Sequence, residues 1–527
     1  MGTRKTSTFL IVLFFSSLLL GVLASIWIKV PGYMDASYYF TTSVQLARGE
    51  GFTEPFIWNY LADPQGIPHP SHSYWMPLAT IVASIPLFIG PPGFRTAQAI
   101  FILLAAFIPV LTSLISFKIS RSETTAKRAG VLALAPGFFL PYLVTTDNFV
   151  LFALAGSTAL WLMAEAAGRG SARMWVITGL VVGLCNLART DGLLFLVPAI
   201  FLLARSPRKI RHVLCLLMGY LVVITPWWVR NLSVSGSILG GAGTGMAFMM
   251  DYNELFRYPG DPLTISALRS AGFIEVIRIR LESAWSNLTS LIVVNGLIIL
   301  TPFIILGVVE HKKQQLVQAA GVYLFILYGV MSFVFPLAGY RGGFFHSSAA
   351  LMPIAWALAP VGFERMIHWG VRNRNWEYKR SAFMFGSVVT FLAFGLTGWN
   401  YYEKVLGSEA EFPIWEQSSA LYQEAGQLID QYGGADSVTA VKDPPSFHAA
   451  SGIPAVVIPD GDVRILLEVV NRYSVKWVLI DIDHPVALDP LYNNPPLVDW
   501  LQLHSTLSDA AGNDVYLLLV SRNGSVE

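Results

Sequence analysis

Uninterrupted apolar runs of about 20 residues recur along this chain, each long enough to cross the hydrocarbon core of a bilayer as a helix. In lipid every backbone N–H and C=O must be paired, so a spanning segment is a helix or a strand of a closed barrel. Runs this long, without alternation of polar and apolar residues, are helical. Composition agrees: 54% of the 527 residues are hydrophobic and only 13% are charged, against about a quarter in soluble domains. The expected fold is mainly α, a polytopic transmembrane helical bundle. A net charge of +1 leaves no footprint for nucleic acid. Cys185 and Cys215 both fall inside apolar runs and read as core residues rather than a disulfide.

The candidate crossings are 7–28, 97–118, 128–145, 148–166, 173–188, 192–205, 212–229, 286–309, 315–336, 344–366 and 381–400, about 11 in all. The first has the layout of a signal peptide but is about 22 residues long with no Ala-x-Ala-like site, so it reads as an uncleaved helix. Basic clusters at Arg4/Lys5, Arg121/Lys127/Arg128, Arg169/Arg173, Arg205–Arg211, Lys312/Lys313 and Arg365–Arg380 then fall on one side, the cytoplasm. The N-terminus is inside and the C-terminus outside. Trp75–Gly90 is too short to cross, and Pro77 and Pro86 break it, so it reads as an interfacial or re-entrant helix. Runs 173–188 and 192–205 read as a V around the polar tip Arg189-Thr190-Asp191.

Three regions lie outside under this topology: a first loop at 29–76, a Gly- and Met-rich flexible stretch within 230–285 ending in an amphipathic helix, and the tail from 401. The tail alternates helical and strand patterns, with helices near 414–431 and 461–472 and strands at 437–441, 476–482 and 515–520. It reads as a small extracytoplasmic α/β domain, 401–527, beside a membrane module, 1–400. It has no Gly-rich phosphate loop.

Asp35 lies just past the first crossing and Asp147 at the next outside turn. Each suits a helix N-cap. Each could also act at the membrane rim, where a carboxylate can take a proton from a hydroxyl or amine. On one face they could share a divalent cation, the only cofactor considered, with Asp35 and Asp147 as its ligands. His69, rigidified by Pro68 and Pro70, and His72 stand late in the first loop; each is a structural residue or a contact to phosphate or acceptor. Arg189, Arg230 and Arg341 cluster at outer helix ends, where positive-inside bias disfavours them. They either snorkel to headgroups or grip phosphate as a planar fork. A local pair of Arg189 with Asp191 is the other reading for that arginine.

These segments resemble the GT-C integral-membrane glycosyltransferases, in the branch of protein O-mannosyltransferases and the lipid A aminoarabinose transferase. The matching stretches are Asp35-x-x-Tyr38 followed by Leu46-Ala47-Arg48-Gly49, His69-Pro70, and Asp147. Leu187-Ala188-Arg189-Thr190-Asp191-Gly192, Pro226-Trp227-Trp228-x-Arg230-Asn231, and Arg341-Gly342-Gly343 through His346 to Pro353 complete the set. The resemblance covers about residues 5–400. It implies a glycosyltransferase that moves a sugar from a polyprenyl phosphate to a protein, lipid or glycan acceptor at the outer face of the plasma (inner) membrane. Asp35 would be the base and the anomeric centre would invert. Asp35 and Asp147 are the expected catalytic residues, with Tyr38, His69, His72, Arg189, Asp191, Arg230, Arg341 and His346 at the substrate. Two other readings are a transporter or flippase of lipid-linked sugars and a membrane-anchored glycan-binding protein.

Overall fold

The computed structural model describes residues 4–240, 245–260, 263–407, 413–434 and 436–521. Parts of the second outer region (241–244, 261–262) and the last residues, 522–527, lie outside the described residues. Seven helices among the described residues are long and apolar enough to cross a membrane. They are Thr6–Ser25, Phe94–Ser120, Phe149–Arg169, Lys209–Ser235, Gln315–Val334, Pro336–Arg374 and Tyr378–Leu406. The chain is a polytopic α-helical bundle carrying a small C-terminal sheet region, as its hydropathy implied.

The remaining expected crossings are shorter or broken, each for a local reason. The run 128–145 becomes Glu123–Leu132, a 3-10 turn at Gly137–Phe139 and a short helix at Leu140–Leu143. Pro136 and Pro141 interrupt it, and Gly137 takes φ +61 where a Cβ would stand 2.1 Å from Leu297. The run 286–309 is likewise divided: a helix ends at Ser290 and a second begins at Thr301, with Leu297 and Ile298 at positive φ between them. The V is present. Ala172–Ala188 stops where Arg189 turns extended, at φ −151 and ψ 142, and a tight helical segment resumes at Thr190. Leu78–Leu87 is a ten-residue helix about 15 Å long, half the thickness of a hydrocarbon core. The described part of the Gly- and Met-rich stretch is folded. Met246, Met249 and Leu255 bury one another against Tyr74 and Phe335, and an Asp251/Glu254 capping box closes a 3-10 turn.

The first outer loop holds strands β1 (Thr53–Glu54), β2 (Phe56–Ile57) and β3 (His69–Pro70), with β1 and β3 antiparallel. The tail adds β4 (Val438–Val441), β5 (Ala455–Val457), β6 (Val475–Ile480), β7 (Leu501–Ser508) and β8 (Asp514–Val520). The larger sheet runs β2-β5-β4-β6-β8-β7, parallel from β2 to β6 and antiparallel beyond. Its first strand comes from the loop after the first helix, some 380 residues before the rest. Residues after 401 therefore do not make this sheet alone, and the loop is pinned between membrane bundle and tail. The two cysteines are free, Cys185 fully buried.

Candidate active site

Asp35 is the second residue of the Met34–Ala47 helix, so it sits inside the first turn rather than capping it; Tyr33 holds the cap position. A carboxylate here is favoured by the helix dipole. Asp147 precedes the Phe149–Arg169 helix, which Asn148 caps, and its Oδ1 accepts only the neighbouring Asn148 N–H at 2.5 Å. Neither acid is a conventional cap. Both instead face His346, a residue almost 200 positions beyond Asp147. Its Nε2 is 3.1 Å from Asp147 Oδ2 and 3.7 Å from Asp35 Oδ2.

The fold positions that imidazole from three sides. Its Nδ1–H donates to the Gly342 carbonyl at 2.9 Å. Gly342 takes φ +113 at a kink, which turns the carbonyl back onto the ring. Phe149 stacks on the ring face with centroids 3.9 Å apart. With Nδ1 committed to the carbonyl, Nε2 alone faces the two acids, and it does so either as the N–H of an imidazolium or as a lone pair toward a cation.

The two carboxyls are shifted in opposite directions. Burial pushes Asp35 up to about 6, the Asp147 charge adds to that, and His346 and Arg189 oppose it. Burial would raise Asp147 too. The His346 charge, its hydrogen bond and those from Tyr33 and the Asn148 N–H outweigh burial and hold Asp147 below the usual carboxylate range. Asp147 is fully buried and saturated with donors, whereas the Asp35 side chain is 28% exposed. One acid is thus an anchored anion and the other an accessible group poised near neutrality, the division expected of an acid–base site. One ligand atom each from Asp35, Asp147 and His346 lies within 4.8 Å of the others, so the three could hold a metal ion.

Arg189 borders this centre. Its Nε donates to Asp191 Oδ1 and to Ser347 Oγ, both at 3.0 Å, and Ser347 in turn donates to Asp191. Asp191 is therefore the local partner of Arg189. Arg341 is exposed and stacks over Tyr252 at 4.8 Å. The Tyr252 phenol, pushed up to about 12 by burial, feels both the Asp35 and the Arg341 charge, so both lie within electrostatic reach of it.

Tyr38, His69, His72 and Arg230 gather in a neighbouring network instead. Arg230 donates to the Ser71 carbonyl at 2.6 Å and the Phe52 carbonyl at 3.3 Å, so the expected phosphate grip is here spent on loop backbone. His72 donates its backbone N–H to the Tyr38 phenol at 2.6 Å, and its ring contacts Thr80 at 2.9 Å. His69 Nε2 lies 2.9 Å from the Phe56 carbonyl and 3.1 Å from Glu54 Oε1. Glu54, which belongs to none of the sequence motifs, is buried at the middle of this network with its carboxyl pushed up to about 8 by burial. An acidic residue flanked two positions away on each side by an aromatic (Phe52-Thr53-Glu54-Pro55-Phe56) is the available signal.

A family model described as dolichyl-phosphate-mannose-protein mannosyltransferase matches residues 78–229, under a third of the chain but including Asp147, Arg189 and Asp191. No curated protein matches in sequence. Among solved structures, ArnT from Cupriavidus metallidurans bound to undecaprenyl phosphate is similar with TM-score 0.57 and 13% identity, over 98% of this chain and 99% of that one.

The fold is shared with ArnT.

The apo form of the same ArnT gives TM-score 0.55 at 13% identity, covering 97% and 98% of the two chains. The apo oligosaccharyltransferase of Archaeoglobus fulgidus gives 0.51 at 13%, over 98% of this chain and 75% of the other. The likeness to ArnT covers 98% of this chain and so reaches into the tail.

Proposed function

We propose that this protein transfers a glycosyl group from a polyprenyl-phosphate donor to an acceptor hydroxyl or amine, with Asp35 as the general base. The observation that carries the proposal is the unequal pair of acids on one imidazole. Asp147, held as an anion, orients His346, and the more open Asp35 can receive a proton. The acceptor O–H or N–H gives that proton to Asp35 as its oxygen or nitrogen bonds the anomeric carbon. The anomeric C–O bond breaks with its electron pair leaving on the polyprenyl phosphate, and configuration inverts. The leaving phosphate is already a stable anion, so it needs cations rather than a general acid. Arg341 and Arg189 are best situated to supply them, with Arg230 holding the loop behind. In this reading the chain crosses the plasma membrane about 11 times with its N-terminus inside, and the site opens outward. Neither a flippase nor a glycan-binding protein needs a carboxylate poised beside an imidazole.

Asp35→Asn tested with purified protein and undecaprenyl-phosphate-linked sugars should abolish transfer while leaving the melting temperature near wild type. Turnover close to wild type would refute the role of base.

The convergence of three ligand atoms favours a second form of the same reading, in which Asp35, Asp147 and His346 bind a divalent cation. Loss of turnover in chelator, restored by Mn²⁺, would support the cation. Unchanged turnover would rule the cation out.

A further inference from the structure

Tyr33 belongs to none of the motifs above, yet it touches the centre directly. At the cap position of the Met34–Ala47 helix its backbone is extended, with φ −160 and ψ 167, which turns its side chain away from that helix. Its phenol donates to Asp147 Oδ2 at 2.5 Å, the same oxygen that His346 Nε2 approaches. Its ring is held edge-on by Tyr142 and by Trp415, at centroid distances of 5.6 and 5.7 Å.

Trp415 opens the Ile414–Gln431 helix, the first element of the tail, and is 7% exposed. Its Nε1–H donates to the Val30 carbonyl at 3.0 Å. Gly32, at φ +92, lies against the indole; a Cβ there would stand 2.1 Å from Nε1 and Cε2. The segment from Val30 to Tyr33 is thus moulded on one side chain of the tail. A lone loop after a transmembrane helix has little reason to keep Tyr33 in place. The indole supplies both a hydrogen bond to the segment and a wall against it.

We infer that Tyr33 is a positioning residue for the Asp35–Asp147–His346 centre, and that Trp415 is the clamp through which the tail holds it there. The consequence for transfer rests on the proposed function; the clamp itself does not. Without the phenol, Asp147 Oδ2 keeps one side-chain donor, and His346 is free to swing away from Asp35. The tail then has a task in addition to whatever it recognises: its seating sets the geometry of the centre.

The test uses full-length purified Tyr33→Phe, Trp415→Ala and Trp415→Phe. Tyr33→Phe removes one oxygen and should lower kcat about tenfold to a hundredfold, with KM for the lipid-linked sugar within about twofold of wild type. Trp415→Ala should reproduce that split, and Trp415→Phe, which keeps a ring against Tyr33, should recover part of it. In hydrogen exchange, Trp415→Ala should speed residues 30–37 and 145–149 while β4 and β6 stay as protected as in wild type. Wild-type kcat in Tyr33→Phe, or unaltered protection at 145–149 in Trp415→Ala, would overturn the inference. Should the wild type transfer no sugar, the proposed function falls, and exchange still decides the clamp. Should Trp415→Ala fail to fold, Tyr33→Phe and Trp415→Phe carry both readouts.

Discussion

Two clusters of the same residue types lie side by side in this protein, and they are built to different ends. In the centre around Asp35, charged groups face one another: two carboxyls and an imidazole, with a guanidinium at the border. In the network around Glu54, the arginine and much of the histidine bonding go to backbone carbonyls, while His69 also meets Glu54 Oε1. Arg230 holds the carbonyls of Phe52 and Ser71, and His69 that of Phe56. The first cluster leaves one carboxyl partly exposed, whereas Glu54 is 3% exposed and burial favours its neutral form. A buried polar group matched to fixed carbonyls stabilises one conformation. Charges opposed across a partly open gap keep a group available for proton transfer. On the proposed function, the second cluster shapes the loop and the first does the chemistry.

The sharpest way to break that contrast is to neutralise each acid in turn. Asp35→Asn should cost about 10²- to 10⁴-fold in turnover, the range of a general base. Glu54→Gln should leave turnover within a few-fold of wild type. Comparable losses in both would erase the distinction.

The next effect concerns acidity. Because Asp35 must be ionised to accept a proton and its carboxyl is raised to about 6, turnover should fall as pH drops through about 6. A rate profile flat down to pH about 4.5 would place the base elsewhere.

Removing the cation of the loop network comes third. Arg230→Met takes the side-chain donor from the Ser71 carbonyl, leaves the Phe52 carbonyl with the Ser71 N–H alone, and should destabilise the protein by about 1–3 kcal/mol, read as a lower melting temperature.

The last effect is again at Glu54, in stability. A carboxyl whose folded value is raised contributes stability at low pH and loses it as pH climbs from the unfolded value, 4.5, to about 8. The melting temperature of wild type should therefore decline across that window relative to Glu54→Gln, and parallel curves would show that Glu54 is not held neutral.

Much of the architecture was legible because hydropathy is a local property. Runs such as 148–166 and 381–400 became Phe149–Arg169 and Tyr378–Tyr401 almost unshifted. The tail's helices at 414–431 and 461–472 and its strand at 437–441 also appear within a residue or two. The broken stretches were less legible. Hydropathy does not register that Leu297 presses on Gly137, or that Leu297 and Ile298 reverse the backbone. The strands Ala455–Val457 and Leu501–Ser508 escaped notice, the first for its length and the second because its polar residues face outward.

By itself, the sequence determined that this is a helical membrane protein, and it supplied the acids and arginines whose types suit transfer from a lipid phosphate. Apolar length and residue chemistry are written into each segment and need no partner. Only the tertiary structure decided which of these residues meet. It joined His346 to Asp35 and Asp147 across some 200 to 300 residues, gave Arg230 to the loop, and drew β2 into a sheet made mostly by the tail. Such pairings depend on packing between distant helices, where the desolvation of each charge makes the identity of its neighbour the deciding energy.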